Sequence, residues 1–190
     1  MVKAEKRYDV AVVGLGVMGL FAAFWAVQNH MRVIAFDPYT VPHALGASHG
    51  QTRAIESTYY EQDDRYLPLV RRTWRLWDKT AAILQWDPLQ SVGGLAIWMR
   101  HDPAVERAMR WSEQLDVPVE LWSAGRLRER LGDFLIPADM VGLYEAQAGI
   151  VLVEPLLTRL AEYIVQHGAI IVKQAVTDFV DDGWSVHLST

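Results

Sequence analysis

Gly14, Gly16 and Gly19 stand between a short apolar run and a helical pattern, and Asp37 follows 18 residues after the last of them. This spacing puts a glycine-rich turn between a strand and a helix, with an acid closing a second strand. Each glycine has its own task. The first turns the chain, the second lets backbone approach a diphosphate, and the third lets the helix pack closely on the sheet. The helix N-terminus adds free N–H groups and partial positive charge. Asp37 is placed to accept hydrogen bonds from an adenosine ribose. The chemistry indicated is dinucleotide binding; the bland alternative is a chance glycine pattern in a structural βαβ unit.

A second group follows in Ala47-Ser-His-Gly-Gln-Thr-Arg53. A histidine and an arginine four residues apart bring a titratable ring and a fixed cation to one small surface. Such a pair suits an electron-rich ring that gains negative charge on reduction. Equally, His49 could only satisfy backbone groups in a capped turn. Six histidines show no metal-ligand spacing, and the serines coincide with caps and turns.

The elements that must position these residues read as strand 9–13, helix 17–28 and strand 32–36, then a loop over 38–50 rich in glycine and proline. Leu67, Val70, Trp74, Trp77, Ala81 and Leu84 recur at helical spacing, so a long amphipathic helix is predicted over 66–84, with Arg71, Arg72 and Arg75 toward solvent. A strand is predicted over 91–99 and a helix opened by Asp102-Pro103 to about 115. Strand 119–122, a helix capped by Ser123 and strand 141–145 follow. A helix over 154–167 is closed by Gly168. Segments 169–172 and 175–180 are β-rich, and 184–188 alternates like a returning strand. Trp74 and Trp77 are expected in a core, with Trp98 and Trp122 as possible pocket linings. Glu61, Asp63 and Asp64 read as acids that compensate a helix dipole.

Composition sets bounds. With 190 residues, 51% hydrophobic and 22% charged, the chain can bury a core. A net charge of −5 gives no reason to expect nucleic acid or an anionic membrane as partner. The absence of cysteine excludes disulfides and thiolate chemistry, and fits a reducing, cytoplasmic compartment. Val10 to Val27 is an unbroken run of 18 apolar or glycine residues, long enough on hydropathy for a membrane span or signal sequence. The glycine spacing, Asp9 at its edge and the direct continuation into a strand favour a strand plus a buried helix, and no membrane.

The motifs Val-Val-Gly14-x-Gly-x-Met-Gly19, Phe-Asp37-Pro, Pro42-His43, Ser48-His-Gly-x-Thr-Arg53 and Tyr66-x-Pro-Leu69 occur in this order. Together they resemble the D-amino-acid-oxidase-like FAD-dependent oxidoreductases, in particular monomeric sarcosine oxidase and N-methyltryptophan oxidase. Gly149-x-Val-x-Val-Glu-Pro155 and Val176-Thr-Asp-Phe179 resemble later segments of that family. The resemblance spans nearly the whole chain but only about the front half of a typical member. It implies an α/β fold: a Rossmann-like FAD-binding domain from residues 1–85 and 148–190, interrupted at 86–147 by part of an α+β substrate-binding domain. Gly14, Gly16, Met18 and Gly19 would cradle the FAD pyrophosphate, and Asp37 would hold its ribose. Ser48, His49 and Arg53 would lie against the isoalloxazine, His49 and Arg53 as the catalytic pair, and the Val176 backbone would meet the adenine end. The implied reaction oxidises a secondary amine or amino acid, with dioxygen as the second substrate and hydrogen peroxide as a product.

Departures carry information as well. Three residues beyond the matched arginine, where sarcosine oxidases grip a substrate carboxylate with a second arginine, this chain has Glu56. An acid there disfavours a carboxylate substrate and suits a cationic or neutral amine. Thr190 falls on one arm of a predicted sheet, so either a partner chain supplies a strand or the sequence is the front part of something longer. Two alternatives to a complete oxidase stay open at this level: a non-catalytic flavin-binding fragment and a nicotinamide-dependent dehydrogenase.

Overall fold

The computed structural model describes residues 7–58 and 63–190. In chain order the elements are β1 (Val10–Val13), α1 (Val17–Gln28), β2 (Val33–Phe36), β3 (Thr52–Ile55), α2 (Leu67–Leu84), β4 (Leu89–Gln90), β5 (Gly94–Met99) and α3 (Pro103–Leu115). There follow β6 (Val119–Ser123), α4 (Ala124–Leu131), β7 (Met140–Glu145), β8 (Gly149–Leu152), α5 (Val153–Gln166), β9 (Ile170–Val172), β10 (Asp178–Asp181) and β11 (Val186–Ser189). The chain divides into two compact units, one running to Gln51 and resuming over Val153–Thr190, the other Thr52–Leu152. The first unit is discontinuous in sequence. Residues 52–85, expected with the first body, group with the second, because β3 pairs antiparallel with β8.

The first unit holds a parallel sheet in the order β1-β2-β9 and a separate antiparallel hairpin, β10-β11. Parallel pairing of β1 with β2 requires a crossover, and α1 supplies it. Leu20, Ala23, Phe24 and Val27 give α1 a buried stripe at helical spacing. That stripe meets α5, which buries Val153, Leu156, Leu157, Leu160 and Ile164. Phe24 lies 5.1 Å from the Tyr163 ring, and the Gln28 amide donates to the Tyr163 hydroxyl. The 18-residue apolar run thus divides into a strand, a turn and a 12-residue helix. Among the described residues no helix is long and apolar enough to cross a membrane.

The second unit contains two antiparallel sheets, β3-β8-β4 and β5-β7-β6. Val105 and Ala108 of α3 pack against Val141 and Leu143 of β7, with Trp98, Met109 and Val119 around them. Trp98 is therefore a core residue. Trp122 is 7% exposed and stacks on Tyr144 at 4.7 Å, with the Arg126 guanidinium 4.2 Å above its ring. Both serve packing, not a pocket wall. On α2 the predicted apolar stripe, including Trp74 and Trp77, is half-buried, and Arg71, Arg72 and Arg75 are exposed as expected. Arg71 also donates to the Gln114 carbonyl at the end of α3. Of the acidic cluster, Glu61 lies outside the described residues. Asp63 accepts the Arg65 N–H and Asp64 accepts Trp111 Nε1–H at 2.8 Å, so both make specific local bonds.

The strand expected over 91–99 begins at Gly94. Gly93 has φ +82 and lies against Tyr144, where a Cβ would come within 2.7 Å of the hydroxyl, so the backbone turns there and breaks the strand. Similarly, β10 begins at Asp178, so 175–177 lie outside the β ladder.

Candidate dinucleotide site

The site in the first unit is built where β1 stops. Gly14 takes φ +88, a left-handed conformation that L side chains resist, and its N–H donates to the Phe36 carbonyl at 2.8 Å. Gly16 caps α1 in extended backbone, and its carbonyl accepts the Leu20 N–H at 2.9 Å. Gly19 is the tightest position. A Cβ there would fall 1.8 Å from the Gly14 carbonyl oxygen and 3.3 Å from Val12 Cγ1. The third glycine thus packs helix on strand, as its place in the motif requires.

Helix α1 opens with no acidic residue and no capping side chain of its own. Its first N–H groups have no intrahelical carbonyl to reach. Val17 N–H is met by Ser48 Oγ at 3.0 Å. Because Ser48 Oγ accepts there, its own hydrogen is available to a ligand oxygen. The resemblance put Ser48 against an isoalloxazine; the fold puts it at the mouth of the glycine turn. The Met18 side chain is 82% exposed.

Asp37 closes β2 and is only 4% exposed. Its Oδ2 accepts Leu15 N–H at 2.8 Å and its Oδ1 accepts Tyr39 N–H at 2.9 Å. His43 Nε2 lies 3.3 Å from Oδ1 and 3.4 Å from Oδ2. The acid predicted to face a sugar thus also fastens the glycine turn to the end of β2. Burial by itself pushes this carboxyl up, but the Leu15 and Tyr39 N–H donors and the His43 ring outweigh it, leaving it below the ordinary carboxylate range. A carboxylate lowered on folding contributes stability that is complete above its unfolded value and fades as pH falls through the folded one. The wild-type chain should therefore lose stability relative to Asp37→Asn as pH drops below about 4. Urea melts of both chains across that range check the sign.

The remaining sequence candidates fall in both units. His49 is exposed, and its Nδ1–H donates to the Gly46 carbonyl at 2.8 Å, which is the backbone-satisfying behaviour weighed from sequence. Arg53 lies on β3 in the second unit, opposite Val151, with Nη1 donating to the Thr52 carbonyl at 2.8 Å. Val176 is half-buried between β9 and β10. Glu56 follows β3 and is half-buried.

Sequence reasoning missed one buried carboxylate. Glu145, at the end of β7 and 3% exposed, accepts Ser57 N–H at 2.9 Å and both Thr58 N–H and Thr58 Oγ1–H at 3.1 and 3.0 Å. Gln147 donates to the Ser57 hydroxyl at 2.5 Å. This clasp fixes the segment directly after Glu56. The alternation of Val141, Leu143 and Glu145 on one face of β7 was the available signal.

The family model for FAD-dependent oxidoreductases, DAO, matches residues 9–190. The chain belongs to the DAO family. N-methyl-L-tryptophan oxidase of Yersinia pestis (strain Pestoides F) is 30% identical over 161 residues, covering 85% of this chain and 43% of that protein. The same enzyme of Yersinia pseudotuberculosis (strain YPIII) matches equally. Among solved structures, the open form of NikD, described as an unusual amino acid oxidase essential for nikkomycin biosynthesis, superposes with a TM-score of 0.79 at 24% identity. It covers 95% of this chain and 47% of that one. Glycine oxidase from Geobacillus kaustophilus gives a TM-score of 0.74 at 22% identity, covering 96% and 51%. These two likenesses establish the fold. The DAO chain described here spans about half the length of the proteins it matches.

FAD, the cofactor this family implies, is compatible with the residues present. Nothing lies within 4 Å of a Cβ position at Gly14, the Ser48 hydroxyl lies 3.1 Å from that of Gly16, the first turn of α1 offers donors, and Asp37 anchors the turn's far side.

Proposed function

We propose that this chain provides the FAD-binding part of an oxidase acting on a secondary amine or amino acid. The observation that carries the reading is the cradle itself, with Gly19 packed against the Gly14 carbonyl, a helix N-terminus with no acid in its first turn and Ser48 Oγ on its Val17 N–H, and an acid at the end of β2. In this reading Gly14, Gly16, Met18 and Gly19 hold the pyrophosphate through backbone, and the Ser48 hydroxyl donates beside them. Asp37 accepts from the ribose, and the Val176 backbone borders the adenine. The roles proposed for His49 and Arg53, a ring and a fixed cation toward the isoalloxazine, rest on the motif. FAD bound there would supply the hydride acceptor for amine oxidation, with dioxygen as final oxidant, hydrogen peroxide released and the resulting imine hydrolysed. The unit built on β1, α1 and β2 is the FAD-binding one, and residues 86–147 belong to the substrate side. Glu56 favours a neutral or cationic amine over N-methylglycine. A cytoplasmic location accompanies the reading, supported by the cysteine-free composition.

The test is a titration of the 190-residue chain with FAD, followed by flavin fluorescence and visible absorbance, then an assay for amine-dependent peroxide. Saturable FAD binding that Gly16→Val abolishes is the expected result. Peroxide release with a neutral secondary amine, exceeding that with N-methylglycine, would place turnover in this chain alone. FAD binding without peroxide would assign it a flavin-holding role completed by a partner chain. Binding of NADH but not FAD would overturn the reading.

A further inference from the structure

His43 touches the acid that closes β2, and neither the glycine motif nor the His49–Arg53 pair accounts for it. Its ring is fixed from three sides. Nδ1 accepts Leu45 N–H at 3.2 Å, which requires the neutral ring to carry its hydrogen on Nε2. Nε2–H then faces the Asp37 carboxylate, 3.3 Å from Oδ1 and 3.4 Å from Oδ2. The ring face lies against Tyr39, with centroids 5.2 Å apart at 60°.

Counting acceptors on Asp37 shows what this arrangement does. A carboxylate offers about four lone-pair positions. Leu15 N–H takes one on Oδ2 and Tyr39 N–H takes one on Oδ1, both at ordinary lengths. The histidine contact is longer than an ideal bond and nearly equidistant from the two oxygens. It therefore steadies the plane of the carboxylate without saturating either oxygen. Two backbone bonds to different oxygens hold the carboxylate, and the straddling ring N–H adds a third contact that tightens its orientation. What remains is acceptor capacity held in one orientation, as a vicinal diol needs.

We propose that His43 is a positioning residue for ribose recognition: it acts through Asp37, orienting that carboxylate toward the sugar hydroxyls of a bound dinucleotide. The inference rests on the FAD reading given above. Loss of the ring N–H leaves both backbone bonds to Asp37 in place, so the turn persists while the carboxylate gains rotational freedom. The signature is lost sugar selectivity, not a lost fold.

The experiment compares dissociation constants of FAD and its adenosine 2′-deoxy analogue, by flavin fluorescence, for the full 190-residue chain and four variants. The wild type should prefer FAD. In His43→Ala, FAD affinity should fall about tenfold while affinity for the deoxy analogue changes little, the worth of one hydrogen bond to a charged group. His43→Gln, which presents an amide N–H where Nε2–H stood, should recover most of the preference. Adding His43→Ala to Asp37→Asn should cost nothing more. Equal weakening toward both ligands, or undiminished preference in His43→Ala, would overturn the inference and leave the FAD reading intact. A wild-type chain that binds neither ligand would overturn both.

Discussion

Gly19→Ala should abolish FAD binding and markedly lower the stability of the first unit. The added Cβ would fall 1.8 Å from the Gly14 carbonyl oxygen and 3.0 Å from its carbon, and these are backbone atoms of the turn itself. A flexible side chain could move aside, but a carbonyl can yield only if the turn opens. Overpacking in a core commonly costs about 1–3 kcal/mol, and a backbone collision belongs at or beyond the top of that range. Set against a total stability of roughly 5–15 kcal/mol, that is a large fraction. Gly14→Ala provides the internal comparison. No atom lies within 4 Å of a Cβ there, yet φ is +88, so only conformational strain of about 1–2 kcal/mol applies. Circular dichroism melts of the two variants should therefore rank Gly19→Ala well below Gly14→Ala. The opposite order would show that the turn is not packed as described.

The second large effect is expected at Glu145, in the second unit. Truncation in Glu145→Ala leaves Ser57 N–H, Thr58 N–H and the Thr58 hydroxyl without their acceptor, in residues that are 0% and 2% exposed. Each buried unsatisfied donor costs about 1–3 kcal/mol, so a loss near 3 kcal/mol or more is expected. Glu145→Gln keeps one acceptor oxygen and should fall between wild type and alanine. Six of the eight tryptophans lie within residues 52–152, so intrinsic fluorescence during urea unfolding reports chiefly on the unit that the clasp stabilises. A midpoint unchanged in Glu145→Ala would show that water replaces the lost acceptor.

The two expectations differ in how visible they were beforehand. The β1–α1–β2 segment was legible because its information is local: apolar runs set the elements, and each glycine has a separate steric reason. The amphipathic face of α2 and the Asp102 and Ser123 caps were legible for the same reason, and both caps make their expected bonds to Ala104 N–H and Arg126 N–H. Strands β3, β4 and β8 were not legible. They are two to four residues long, and β3 is defined by pairing Thr52–Ile55 with a partner about a hundred positions away. Spacing suggested that His49 and Arg53 act as one pair; the boundary between the two compact units falls between them, a feature that no local pattern announces. Asp37 shows a further limit. Its position suggested a ribose role, whereas its bonds to Leu15, Tyr39 and His43 depend on how the following loop folds back.

The discontinuity of the first unit also bears on how a ribosome delivers this polypeptide. Strand β2 leaves the exit tunnel early, yet the helix that covers α1 and the third strand of the parallel sheet are translated only after Val153. The continuous stretch Thr52–Leu152 can complete its own contacts while the nascent N-terminal βαβ segment still exposes Leu20, Phe24 and Val27. Vectorial synthesis thus holds an aggregation-prone apolar helix uncovered for the time needed to make a whole intervening body. The glycine turn is translated before that body, but α5 and β9, which complete its unit, come after it.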